Sequence, residues 1–149
     1  MNYAYTIVYV SDVPAALDFY NRAFGFPVRF LHESNGYGEL ETGGTALAFA
    51  AHEVAGGSLP DGYEPLSEMP RPAGIEIGFT TSAVELAMES AVRNGATLVA
   101  APKVKPWGQT VAYVRCPSGY SSSFARRWGE NLGFARTTPN NPSSPFQRQ

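Results

Sequence analysis

Apolar and polar positions change period several times along the chain, and the changes divide it into two similar halves. Tyr5–Val10 is a β-branched and aromatic run that predicts a strand. Ser11 and Asp12 then offer an N-cap, and Pro14 falls in the first helical turn, where a missing N–H does no harm. Ala16, Phe19, Tyr20, Ala23 and Phe24 recur at helical spacing, and Gly25 closes the helix. Strands follow over residues 26–32, 37–41 and 45–51, separated by turns at Ser34-Asn35-Gly36 and Gly43-Gly44. The first half therefore reads βαβββ.

The pattern then repeats. Residues 75–79 predict a strand, Thr81-Ser82 a cap, and Val84, Leu86, Ala87, Ala91 and Val92 a helical stripe that Gly95 ends. Residues 96–100, 110–115 and 120–125 predict three more strands, the last after a turn at Pro117-Ser118-Gly119. Gly25 and Gly95 stand 70 residues apart, as do Tyr5 and Ile75, Ile7 and Ile77, and Tyr9 and Phe79. A period of that length marks an internal duplication. The expected organisation is one domain over residues 1–128, with module one at 1–53, a linker at 54–72 and module two at 73–128. The linker is rich in breakers (Gly56, Gly57, Pro60, Gly62, Pro65, Pro70, Pro72), which suits a joint between modules or a lid. Residues 129–149 hold little to bury and are expected to form an extended tail.

Composition narrows the function. Of 149 residues, 44% are hydrophobic and 16% charged, which supports a packed core and excludes a disordered chain. A formal net charge of -2 gives no electrostatic reason to expect nucleic acid or an anionic membrane as partner. No run approaches the ~20 apolar residues of a membrane span, and the first residues lack a signal peptide's pattern. The single cysteine, Cys116, rules out an intramolecular disulfide. A cytoplasmic protein is the expectation.

Val10-Ser11-Asp12-Val13, then Asp18-Phe19-Tyr20 and Phe24-Gly25-Phe26, resemble the opening of the vicinal oxygen chelate superfamily, which includes glyoxalase, bleomycin-resistance and extradiol dioxygenase proteins. Asn94-Gly95-Ala96, Pro106-Trp107-Gly108-Gln109 and Cys116-Pro117-Ser118-Gly119-Tyr120 resemble its closing half. The resemblance covers roughly residues 5 to 127. It implies an α+β, glyoxalase-like fold, in which two tandem βαβββ modules form a U-shaped mixed sheet, usually as a homodimer, around a ligand or metal.

In metal-dependent members, a His or Glu stands on the first and last strand of each module. The resemblance places those positions at Tyr5, at Phe49 within one residue, at Gly74 or Ile75, and at Ser123. A phenol or a neutral hydroxyl is a poor ligand for a divalent ion, so no metal and no other cofactor is expected. His52 and Glu53 end a strand and, as strand neighbours, would face opposite ways, which favours a surface pair over a ligand pair. A metalloenzyme with ligands drawn from His32, His52, Glu53 and Glu76 stays open as a further alternative.

A pocket stripped of ligands becomes an aromatic space with hydroxyls. Tyr5, Phe49, Trp107 and Tyr113 are candidates to stack on a planar ligand. Ser121 and Ser123, two apart on one strand, share a face and offer hydrogen bonds, with Ser122 opposite. Glu76 is either a lone acid in the pocket or an outward-facing residue. Trp107 either touches ligand or plugs the module interface, and the serine triplet is either pocket chemistry or a loosely specified edge strand. The expected function is metal-independent binding of a small organic molecule, such as an antibiotic or metabolite, as in bleomycin-resistance proteins. The alternative is a lyase or isomerase of the glyoxalase type, for which the sequence offers no convincing acid–base pair. Cys116 as a nucleophile would need a nearby base.

Overall fold

The computed structural model describes residues 1–127; the tail expected at 129–149 lies outside the described residues. Strand β1 (Tyr5–Val10) leads into helix α1 (Val13–Phe24), followed by β2 (Val28–Leu31), β3 (Tyr37–Leu40) and β4 (Ala46–Ala51). A short helix α2 (His52–Gly56) occupies the start of the expected linker. The second module is β5 (Glu76–Thr80), α3 (Val84–Arg93), β6 (Thr97–Val104), β7 (Thr110–Arg115) and β8 (Ser121–Ala125). Both modules are βαβββ, and the fold is α+β.

Each module forms its own four-stranded mixed sheet, ordered β1-β4-β3-β2 and β5-β8-β7-β6. The first strand of each is an edge that pairs in parallel with the last, and the remaining pairs are antiparallel. Local chemistry sets the boundaries. The Asp12 carboxylate accepts the Ala15 N–H at 2.9 Å to cap α1, and Gly25 ends it at φ 74, where an L side chain would be strained. At α3 the expected cap is displaced: the Thr81 hydroxyl accepts the Ala83 N–H, and the helix starts at Val84 without a side-chain cap.

Both helices cover one face of the sheets, and a single core joins the two halves. Tyr20 of α1 sits at its centre, fully buried. Its ring lies 5.5 Å from Phe49 of module one, 6.1 Å from Phe79 of module two, and stacks at 5° on Tyr120. Its hydroxyl bonds the Tyr120 hydroxyl and approaches Cys116 Sγ and Ser122 Oγ at 3.4 Å each. The Ser90 hydroxyl of α3 donates to the Ala23 carbonyl of α1 at 2.7 Å, a second tie between modules. Among the described residues no helix is long and apolar enough to cross a membrane.

The duplication holds, with a register correction. The core-facing residues of β1 are Val8 and Val10, and those of β5 are Ile77 and Phe79. The strands therefore repeat every 69 residues, whereas the helix-ending glycines repeat every 70. Because side chains alternate, that one residue decides which face each occupies.

Burial raises both tyrosine pKa values well above the ordinary 10.0, with the neighbouring tyrosine adding to the shift at Tyr20 and Cys116 adding at Tyr120. Because the folded state holds these protons more tightly than the unfolded chain, the pair's contribution is full below pH 10 and is lost as pH rises further. Phenolate absorbance from these two tyrosines is expected only together with unfolding. Tyr20→Phe, which strands the Tyr120 hydroxyl in the core, is expected to cost about 1–3 kcal/mol in urea titration.

Candidate functional site

The face turned away from the helices holds the positions that sequence alone leaves uncertain. On sheet one, Tyr5, Ile7 and Tyr9 pair across with Ala46, Ala48 and Ala50, and Tyr37 and Glu39 continue the row on β3. On sheet two, Glu76 and Gly78 pair with Ser121 and Ser123, and Tyr113 lies opposite Ser123. Glu76, Ser121, Ser123 and Tyr113 thus share one open face with each other, and Tyr5 lies on the open face of sheet one. The Ser123 hydroxyl donates to Glu76 Oε1 at 3.2 Å. Ser122 points the other way, buried at 3.2 Å from Cys116 Sγ.

Phe49 does not join them. Its partner in the register is Val8, and its ring is wholly buried against Tyr20, so its neighbour Ala48 takes the open-face position. Trp107 is also apart from the cleft and the module interface. It lies 49% exposed in the hairpin between β6 and β7, its indole N–H donating to Gln109 Oε1 at 2.9 Å. Tyr113 carries the Lys105 ammonium over its ring at 4.9 Å.

Between β1 and β5, each an edge of its sheet among the described residues, lies a cleft of about 230 Å³. Ile7, Val8 and Tyr9 form one wall, Ile75 and Ile77 the other, and Tyr120 reaches it from the core. The linker crosses over it as a strap that contributes Tyr63, Glu64 and Leu66. Tyr63 fixes one end of the strap: its ring packs 5.0 Å from Tyr9, and its hydroxyl shares a 2.5 Å hydrogen bond with His52 Nδ1. Arg115 fixes the other, donating to the carbonyls of Leu66 at 3.2 Å, Met69 at 2.5 Å and Gly119 at 3.0 Å. Gly119 has φ 95, and a Cβ there would collide with the Leu66 carbonyl. Only glycine suits both demands.

The strap residues and Arg115 were not legible as site residues. The Gly/Pro-rich linker carries the one available signal, because long irregular segments in compact domains are often functional. Arg115 works through main-chain carbonyls, which leave no trace in side-chain spacing.

The open face does not fit a divalent metal. Its first- and last-strand positions are Tyr5 or Ile7, Ala48, Glu76 and Ser123, a set with one carboxylate and no imidazole. Glu39, the other open-face acid, is engaged by the Tyr37 hydroxyl at 2.9 Å and lies 3.7 Å from Arg29. His32 bonds Ser34, and His52 bonds Tyr63. Among the described residues no group of three or more His, Cys, Asp or Glu side chains is placed to hold a metal ion. Cys116 is buried among hydroxyls, with its pKa raised by burial, a setting that disfavours the nucleophilic thiolate.

Removing the strap's anchor tests this geometry. Arg115→Met is expected to lower stability by about 1–2 kcal/mol and to open residues 57–72 to limited proteolysis; unchanged cleavage would show that other contacts hold the strap.

Residues 2–124 match the superfamily described as Glyoxalase/Bleomycin resistance protein/Dioxygenase. No curated protein matches the chain significantly. Among solved structures, a glyoxalase-related enzyme from Fulvimarina pelagi is similar at TM-score 0.73 and 20% identity, covering 85% of this chain and 88% of that one. A glyoxalase/bleomycin resistance protein/dioxygenase family enzyme from Burkholderia phytofirmans PsJN gives TM-score 0.70 and 24% identity, covering 85% and 98%. TioX from Micromonospora sp. ML1 gives 0.61 and 21%, with the same coverage.

Proposed function

The chain belongs to the glyoxalase/bleomycin resistance protein/dioxygenase superfamily, and from that premise we propose that it binds a small planar organic molecule without a metal. The observation that carries this reading is the cleft between β1 and β5, walled by Ile7, Val8, Ile75 and Ile77 and roofed by the strap. An apolar cavity of about 150 Å³ holds benzene, and drug-sized ligands occupy roughly 300 Å³ or more. A volume of about 230 Å³ therefore suits one or two rings. Apolar walls supply affinity by burial, while the tyrosines offer flat faces. Thr6 and Glu64, both in the lining, give a polar group of the ligand somewhere to point.

On this reading the protein sequesters its ligand, an antibiotic or a metabolite, in the manner expected of bleomycin-resistance relatives. A lyase or isomerase would need a second proton-transfer group beside Glu76, and the partner Glu76 has in hydrogen bonding is a serine. A homodimer is part of the proposal. The outer edges β2 and β6 expose Val28, Phe30 and Leu31, and Leu98, Val99 and Val104, apolar edge strands that a second copy would cover. Sedimentation equilibrium is expected to return twice the monomer mass, and Phe30→Lys with Val99→Lys to return the monomer.

Filling the cleft tests the binding reading. A screen of neutral one- and two-ring compounds by protein-observed NMR is expected to shift the amides of Ile7, Tyr9, Ile75 and Ile77. Ile7→Trp is expected to abolish those shifts, and chelator-treated protein to reproduce them. Binding that vanishes with the chelator and returns with a divalent ion would refute the metal-free reading.

A further inference from the structure

We infer that the ligand of the cleft is a small aromatic cation, a single ring carrying a quaternary or protonated amine. This rests on the cleft being a ligand site and adds its charge and chemistry.

The lining carries one charged side chain, and it is negative. Glu64 lines the opening, and no lysine or arginine does. Glu76, between Ile75 and Ile77 in the chain, turns to the open face of β5 and stays out of the lining. Its Oε1 accepts from Ser123, and among the described residues it enters no ion pair. Glu53, at the start of α2, is close enough to act on the Tyr63 hydroxyl electrostatically. The acids that are paired, Asp18, Glu39 and Glu41, belong to α1 and to the far side of sheet one. Arg115 is the cation that touches the strap, and its guanidinium is spread over three carbonyls. Of the nearby charges only Glu64 is in the lining; Arg71 of the strap and Lys105 over Tyr113 stay outside it.

The rings point to the same ligand. Tyr9 and Tyr63, tilted at 46° to each other, and Tyr120 all contribute to the lining. Aromatic faces carry the negative part of a quadrupole and attract a cation within about 6 Å. An ammonium group over such rings, with the Glu64 carboxylate at the rim, gains from both terms. A carboxylate, sulfonate or phosphate in the same place is repelled by both.

Calorimetric titration of the full chain with three compounds of one shape isolates the charge: 4-hydroxyphenyltrimethylammonium, neutral 4-tert-butylphenol and anionic 4-hydroxybenzoate. The cation is expected to bind about tenfold tighter than the neutral compound at low salt, the anion weakest. At 0.5 M salt the preference is expected to shrink several-fold, since exposed carboxylates are screened. In Glu64→Gln the ratio of the two affinities is expected to fall toward one. Equal binding of cation and neutral compound, or a preference undiminished in Glu64→Gln, would overturn the charge assignment and leave the cleft as a ligand site. Failure of all three to bind would overturn the cleft reading itself.

Discussion

Tyr20 is the contact on which the arrangement of the two modules depends. It comes from the helix of the first module, yet its ring packs against Phe49 of one sheet and Phe79 and Tyr120 of the other, and its hydroxyl joins the Tyr120, Ser122 and Cys116 polar group. Burying hydroxyls in a core costs free energy unless they find partners, and these find one another. With the helices locked together on one side, the first strand of each sheet stays an edge on the other, among the described residues. The linker then crosses the gap, and Arg115 and Tyr63 fasten it there. The cleft is the space these three constraints leave.

Strand alternation decides what that space can do chemically. In a half-buried sheet every second residue meets the core, so the open face is written by the residues between. On β4 those residues are alanines, on β8 serines, and on β5 a glutamate followed by a glycine. Where relatives with a metal need several charged donors, one carboxylate remains.

Much of the fold was legible because it rests on strong local signals. The caps at Asp12 and Gly25, the helical stripe through Phe19 and Ala23, and the breakers between halves all have mechanisms that act within a few residues. The site was less legible because it depends on register and on main-chain contacts. Aligning Ile7 with Ile77 pairs an open-face residue with a core residue; the strands align Val8 with Ile77 instead, which sends Phe49 inward and brings Glu76 onto the open face. Trp107 carries a family motif but sits in the β6–β7 hairpin, its indole N–H on Gln109 and its ring away from the cleft lining. Tyr63 and Leu66 gain their place through partners distant in the chain, Tyr63 through Tyr9 and His52 and Leu66 through Arg115.

A crystal structure under xenon pressure tests the central claim most directly, since xenon enters dry apolar cavities and announces itself by anomalous scattering. The account predicts a xenon peak between Ile7 and Val8 on one side and Ile77 on the other, beneath Leu66. Strands β1 and β5 hydrogen-bonded edge to edge with no peak between them, or a metal ion coordinated there, would contradict it.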